Sequence, residues 1–154
     1  MDNIVDKLVE YSGCLFEIQI DNLLPISALS RIRFDHRNKM RFEILVNPLK
    51  IPMENESILA HILSHEWGHH MYNHVRINPN DLDEKQMRQV ENEADFYASL
   101  FIEKYNYNKE DIVKHIVRSS LDKKYIKERV DILSGDFRIV EENLYLIDKN
   151  MPLI

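Results

Sequence analysis

The chain has 154 residues, 44% of them apolar and 30% charged, which is enough for one hydrophobic core and excludes a fibrous or disordered chain. Its formal charge of −6, from 20 basic and 26 acidic residues, disfavours nucleic acid as the first partner. The one cysteine, Cys14, cannot form an internal disulfide, and neither a signal peptide nor a membrane span is recognisable. We therefore expect a single cytoplasmic domain over residues 1–154.

The first third of the chain predicts a helix followed by strands. Apolar residues at helical spacing favour a helix over 3–12, and Gly13 suits its end. Apolar and polar residues then alternate in three runs, which predict strands over 14–20, 28–34 and 40–46. The polar segment 35–39 is typical of a hairpin turn. We expect these strands to form a small antiparallel sheet.

The remainder is predicted to be mostly helical. Helices are predicted from the acidic cluster 54–57 to about residue 73, over 82–105, over 109–118 after the cap Asn108, and over 123–133 after the cap Asp122. The segment 137–147 alternates loosely and predicts a strand or a packed tail. Strands followed by helices around one core give an α+β fold, with the sheet packed on the helix that begins near residue 57.

The strongest chemical signal is the H-E-x-x-H motif His65-Glu66-Trp67-Gly68-His69 inside that helix. Residues four apart project from the same helical face, so both imidazoles can reach one metal ion. Glu66 lies about 100° around the helix from His65, where it can act on water without binding the metal. The motif therefore predicts a metal site with Glu66 as general base.

A peptidase-type zinc site needs a third protein ligand, and the second long helix offers Glu91, Glu93 and Asp95. Relative to the apolar stripe of that helix, Glu91 lies about 60° from the centre, whereas the other two lie near 100° on opposite sides. Glu91 is thus the better ligand. Asp95, one turn later, is expected to accept a hydrogen bond from a ligating histidine.

Other residues of the motif helix have simpler interpretations. Gly68 costs about 1 kcal/mol relative to alanine inside a helix, so we expect a neighbouring backbone to approach it closely. His70 and His74 are interpreted as surface or capping histidines, and Trp67 as a core or rim aromatic residue.

In these motifs the chain resembles the ImmA/IrrE family of zinc metallopeptidases, in which an H-E-x-x-H helix is followed by a Glu-x-x-Ala-Asp-x-x-Ala helix. Here the second segment reads Glu91-Asn92-Glu93-Ala94-Asp95-Phe96-Tyr97-Ala98. The resemblance implies a zincin-like fold, zinc ligands His65, His69 and Glu91, and catalytic Glu66. Many members follow with a Leu-Leu-Met-Pro-like stretch, whereas this chain continues its helix through Leu100-Phe101-Ile102-Glu103.

A peptidase of this kind needs a donor to the oxyanion and a place for the peptide. Four residues are candidates for the donor, and the sequence does not choose between them: His61, His70, Tyr72 and Tyr97. The strand 40–46, directly before the motif helix, is predicted to pair with an extended peptide. The basic segment 109–129 is a candidate docking face for the substrate.

The resemblance implies cleavage of an intracellular protein, a helix-turn-helix repressor of a mobile element or stress regulon. An alternative is a metal-containing regulatory protein that binds a partner without cleaving it, although such a protein has no need of Glu66 as a base. A third hypothesis makes residues 109–133 a nucleic-acid-binding helix pair, whose affinity would fall steeply with salt.

Overall fold

The computed structural model describes residues 1–120 and 122–141, which form an α+β fold as predicted. The strands are β1 (Glu17–Ile20), β2 (Ala28–Phe34) and β3 (Met40–Val46). The helices are α1 (Asp2–Ser12), α2 (Glu56–Met71), α3 (Glu84–Tyr105), α4 (Lys109–Ser119), α5 (Lys123–Leu133) and α6 (Arg138–Glu141). Most predicted bounds agree with these within two residues, but β1 begins at Glu17 because its pairing with β3 starts there.

The sheet is mixed, so the predicted antiparallel sheet is wrong for one of its three strands. β2 and β3 form an antiparallel hairpin, whereas β1 lies parallel to β3 on its other side, giving the order β1-β3-β2. The cause is the segment 21–27, which crosses the end of β3 instead of turning back. Asp21 N–H donates to the Val46 carbonyl, and Asn47 Nδ2 donates to the Leu24 carbonyl at 2.8 Å, which hold this crossover in place.

Helix α2 lies at the centre of the molecule, packed against the sheet and helices α1, α3 and α4. Its Asn55 cap accepts a hydrogen bond from Ile58 N–H, which satisfies one of the free donors of the first turn. Trp67 is fully buried and stacks on Phe16, with ring centroids 4.4 Å apart. The α2 helix is therefore fixed from several sides, which is what a precise side-chain cluster on it requires.

Helix α3 crosses α2 at very close range, as predicted for Gly68. A Cβ at this position would lie 3.1 Å from the Ala94 carbonyl oxygen and 3.0 Å from Tyr97 Cβ. Helix α3 begins with a capping box between Asp83 and Gln86 and runs to Tyr105, so the continuation through residues 100–103 is confirmed. The close approach brings the carboxylates of α3 towards the histidines of α2.

The C-terminal helices cover the side of α3. Residues 138–141 form the short helix α6 rather than a strand, because the Asp136 carboxylate accepts from Arg138 N–H and Phe137 packs edge-on against Phe96. The rest of the predicted segment 137–147 lies outside the described residues. In the two ranges that the structure describes, no helix is both long and apolar enough to cross a membrane.

Candidate metal centre

His65 and His69 lie in the second half of α2 with their Nε2 atoms 3.2 Å apart. Their rings are nearly perpendicular, with centroids 4.8 Å apart. This arrangement follows from the helical spacing, since residues at i and i+4 are one turn apart on the same face. Both Nε2 atoms therefore point to one location at the surface between α2 and α3.

Glu91 reaches this location from α3. Its Oε2 lies 3.0 Å from His65 Nε2, and its Oε1 lies 3.5 Å from His69 Nε2. Donor atoms at about 2.0 Å from a tetrahedral metal ion are about 3.3 Å from one another, so the three side chains already have the spacing of ligands. The structure thus brings the three predicted ligands within about 3.5 Å of one another.

Glu66 is the second carboxylate beside the histidines. The ligand atoms of His65, Glu66 and His69 all lie within 4.8 Å of one another, and this cluster could hold a metal ion. Glu66 Oε2 accepts a hydrogen bond from Ser30 Oγ at 2.7 Å, and Ser30 Oγ also lies 2.6 Å from the Glu66 carbonyl oxygen. Burial raises the pKa of Glu66, which increases its affinity for a proton.

His65 is supported on its other nitrogen by a buried ion pair. Its Nδ1 lies 2.7 Å from Asp95 Oδ1, the contact expected from the sequence. Asp95 also accepts from Arg129 Nε at 2.7 Å and Nη2 at 3.1 Å. Burial alone would lower the pKa of His65, but Asp95 and Glu91 raise it to about 10. The role of Arg129 was not predicted, because its basic segment was interpreted as a docking face.

His69 is supported through a second histidine, which the sequence interpretation missed. His69 Nδ1 lies 2.9 Å from His74 Nδ1, and His74 Nε2 lies 3.1 Å from Glu93 Oε1. His74 is 8% exposed and Glu93 is fully buried, so the interpretation of His74 as a surface or capping residue is wrong. Asn73 adopts φ 58°, which turns the chain back after α2 and buries His74. The sequence feature that could have indicated this support is a further histidine, His74, five residues after His69.

A comparison with known families gives an independent indication. Residues 57–127 match the family model described as Peptidase U49. This part of the chain is similar to a peptidase family. The match covers α2 and α3, and therefore both histidines and Glu91, but less than half of the chain. It supports a peptidase without singling out the ImmA/IrrE family. No curated protein and no solved structure matches the chain.

A cleft of about 290 Å³ opens beside the site, between the start of β2 and the helices α4 and α5. Its apolar lining residues are Ile26, Ala28 and Ile62. Its lining also includes hydrogen-bonding groups, among them His115 and Tyr125. Glu66 and Glu91 both border the cleft, so a ligand in it would contact the predicted metal site directly.

Of the four candidate oxyanion donors, only His61 lines this cleft. His70 points to the sheet, where its Nε2–H donates to the Glu43 carbonyl at 2.8 Å. Tyr72 and Tyr97 pack edge-on against each other, with ring centroids 6.0 Å apart, away from the cleft. His70 faces away from the cleft because its position lies about 100° around α2 from the metal-facing His69.

The strand predicted to bind a peptide, 40–46, is paired on both sides over residues 43–46, so this half of it cannot add a peptide strand. Among the residues that the structure describes, β2 is instead an edge strand, next to α2. Two hydrogen bonds just outside β2 show which of its backbone groups face β3: Asn47 N–H donates to the Ser27 carbonyl, and Asp35 N–H donates to the Lys39 carbonyl. Backbone groups at alternate residues of an antiparallel strand face the same neighbour, so the odd-numbered positions of β2 face β3. Its even-numbered positions, including Ala28 and Ser30, therefore direct their backbone groups away from β3.

Proposed function

We propose that the protein is a zinc-dependent endopeptidase with His65, His69 and Glu91 as metal ligands and Glu66 as general base. The observation that carries the proposal is that His65 Nε2, His69 Nε2 and the Glu91 carboxylate lie 3.0–3.5 Å from one another, beside a second, separately held carboxylate, Glu66, at an open cleft. Histidine and carboxylate ligands suit zinc. When bound, zinc supplies Lewis acidity, which acidifies water and polarises a carbonyl oxygen. Similarity to a peptidase family supports the same reaction class.

Glu66 moves the proton in this reaction. Its carboxylate accepts a proton from the attacking water and then transfers it to the leaving amine. Ser30 Oγ, 2.7 Å from Glu66 Oε2 and 2.6 Å from the Glu66 carbonyl oxygen, has one proton for two acceptors. The hydroxyl can therefore donate to the carboxylate or turn to the carbonyl, which keeps the carboxylate oriented as its protonation changes.

The substrate is held in an extended conformation along β2. The backbone groups of Ala28 and Ser30 face away from β3 and can pair with a peptide strand, which gives affinity with little dependence on side chains. The apolar lining residues Ile26 and Ile62 would accept an apolar side chain of the peptide. This orientation places the peptide next to Glu66 and Glu91.

Tyr125 is the donor that we assign to the oxyanion. It lines the cleft together with Glu66 and Glu91, and burial raises the pKa of its hydroxyl, which therefore keeps its proton. Tyr125→Phe should lower kcat about 100-fold while zinc content stays unchanged. A variant with unaltered kcat would exclude this role and leave His61, the remaining predicted candidate at the cleft.

The substrate is proposed to be a protein of the cytoplasm, specifically a helix-turn-helix transcriptional repressor. Support for this comes from the motifs that resemble the ImmA/IrrE family. The basic segment 109–129 adds little as a docking face, because Lys109, Lys114 and Lys127 each form an ion pair with an acidic residue of their own chain. The same pairs disfavour direct nucleic-acid binding, in which these cations would contact phosphates.

The alternative is a metal-containing regulatory protein that binds its partner without cleavage. Both candidates require metal at the same ligands, but only the peptidase requires Glu66. The test combines elemental analysis of the purified chain with mass spectrometry of a peptide library incubated with it. Wild type should hold about one zinc and cleave peptides, whereas Glu66→Gln should hold zinc without cleaving.

The ligand variants His69→Ala and Glu91→Gln should lose both zinc and cleavage. If wild type binds no zinc after reconstitution, the proposed metallopeptidase is wrong. If wild type and Glu66→Gln both bind zinc and neither cleaves, the regulatory protein is the correct assignment.

A further inference from the structure

A chain of buried side chains leads away from His69 on the side opposite the metal site. His69 Nδ1 contacts His74 Nδ1 at 2.9 Å, His74 Nε2 contacts Glu93 Oε1 at 3.1 Å, and Gln89 Nε2 donates to Glu93 Oε2 at 3.1 Å. We propose that His74 and Glu93 are positioning residues that hold the proton of His69 on Nδ1 and thereby direct its Nε2 lone pair at the metal. This inference rests on the proposed zinc site.

The direction of the hydrogen bonds follows from the donor inventory of each group. Burial raises the pKa of Glu93 to about 7, so the carboxyl is ionised above that pH. An ionised carboxylate only accepts hydrogen bonds, and Glu93 then accepts from Gln89 Nε2–H on one oxygen and from His74 Nε2–H on the other. Neutral His74 then has a lone pair on Nδ1, which can only accept. His69 must therefore donate from Nδ1, and its Nε2 carries the lone pair that a metal ligand needs.

The opposite direction needs a donor at the end of the chain, which either a protonated Glu93 or an amide in its place would supply. A donor in place of the Glu93 carboxylate would require His74 to accept on Nε2 and donate from Nδ1. His69 would then accept on Nδ1 and hold its proton on Nε2, where it blocks metal binding. The charge of Glu93 thus selects the tautomer of His69 across an intervening imidazole.

These side chains are buried, so water does not compete for their hydrogen bonds and the direction of the chain is kept. Gln89 is 6%, His74 8% and Glu93 0% exposed. The two ligand histidines are therefore supported in different ways: His65 donates directly to the Asp95 carboxylate, and His69 reaches its carboxylate through His74. The indirect arrangement also joins the chain just after α2 to the middle of α3, the two elements that carry the ligands.

The decisive variant is Glu93→Gln, which keeps the size of the side chain, removes its charge and replaces one of its two acceptor oxygens with a donor. Long-range proton–nitrogen correlation spectra of the nitrogen-15-labelled full chain, recorded without zinc and at a pH above the raised pKa of Glu93, report which ring nitrogen of each histidine holds the proton. Wild type should show His69 protonated on Nδ1 and His74 on Nε2, and the variant should shift the His69 proton towards Nε2. Competition with a chromophoric chelator should give zinc affinity about 10–100-fold lower in the variant.

The matched control is Glu103→Gln, the same substitution at an exposed position of α3, which should change neither readout. Equal zinc affinity in the Glu93 and Glu103 variants would overturn the proposal, as would a wild-type His69 protonated on Nε2. If Glu93→Gln does not fold by circular dichroism, the wild-type spectrum alone decides. Failure of wild type to bind zinc would instead refute the proposed function, while the tautomer of His69 still tests this inference.

Discussion

The substitution Gly68→Ala tests whether the close contact between α2 and α3 sets the geometry of the metal site. The added Cβ would lie 3.0 Å from Tyr97 Cβ, 3.1 Å from the Ala94 carbonyl oxygen and 3.2 Å from Ala94 Cα. Non-bonded carbon atoms prefer about 3.5–4.0 Å, so the helices must separate by about 0.5 Å. Two of the three neighbours are backbone atoms of α3, and a change of rotamer cannot relieve them.

Two effects on the free energy of unfolding oppose each other. Alanine favours a helix interior by about 1 kcal/mol over glycine, whereas forcing a methyl group into a packed interface costs about 1–3 kcal/mol. We expect the second effect to exceed the first and the variant to lose about 1 kcal/mol. Separation of the helices also moves Glu91 away from His69, so zinc affinity should fall about tenfold.

Urea denaturation of the zinc-free protein measures the free energy of unfolding, and competition with a chelator measures the zinc affinity. Gly68→Val should have a larger effect in both assays, because it adds more volume at the same contact. Ser64→Ala removes an atom from a buried position of the same helix and should leave zinc affinity unchanged. A Gly68→Ala protein that is about 1 kcal/mol more stable than wild type, with the same zinc affinity, would refute the reasoning.

Three further predictions concern groups around the site and in the sheet. Ser30→Ala should retain zinc but lower kcat, because Glu66 loses its hydrogen-bonding partner; equal kcat in a peptide-cleavage assay would contradict this. Arg129→Met should lower the free energy of unfolding by about 2 kcal/mol in urea, since it removes one of the two partners of the buried Asp95 carboxylate and leaves it with His65 alone, whereas Lys127→Met, at an exposed pair, should change it by less than about 0.5 kcal/mol. Burial opposes the charge of Glu43, but hydrogen bonds and charges from Arg31 and Arg33 outweigh burial and lower the pKa of Glu43. The ionised carboxylate therefore stabilises the fold above the ordinary carboxyl pKa of about 4.3, and this contribution is lost as the pH falls through the lower pKa of the folded state. The stability difference between wild type and Glu43→Gln should therefore shrink between pH 6 and pH 3, and a constant difference would refute it.

The parts of the site that could be predicted are those set by the periodicity of one element. The spacing of His65 and His69 is a property of a single helix, and the inward direction of Glu91 follows from the apolar stripe of α3. Parallel pairing of β1 could not be predicted, because it depends on the crossover held by Asn47, a contact between distant segments. The pairing of His74 with Glu93 is equally non-local.

Glu93 also illustrates why the helical wheel was insufficient. Glu93 lies beside the apolar stripe of α3. A residue at this position can either be exposed to solvent or be a buried acceptor that faces a neighbouring element. Only the turn at Asn73, which folds the chain after α2 back onto α3, distinguishes the two. The cleft residue Tyr125 was missed for a similar reason, since α5 reaches the site only through tertiary packing.

In the proposed peptidase, the outer edge of β2 would decide the state in which a protein can be cleaved. An edge strand can add only an extended chain, whose backbone groups are not already hydrogen-bonded. A helical protein would therefore have to unfold locally before its backbone could enter the site, and its rate of cleavage would be proportional to the population of that opened form. Any ligand or partner that stabilises the closed form protects it by mass action. Selection among substrates would then act on local stability more than on the sequence around the cleaved bond.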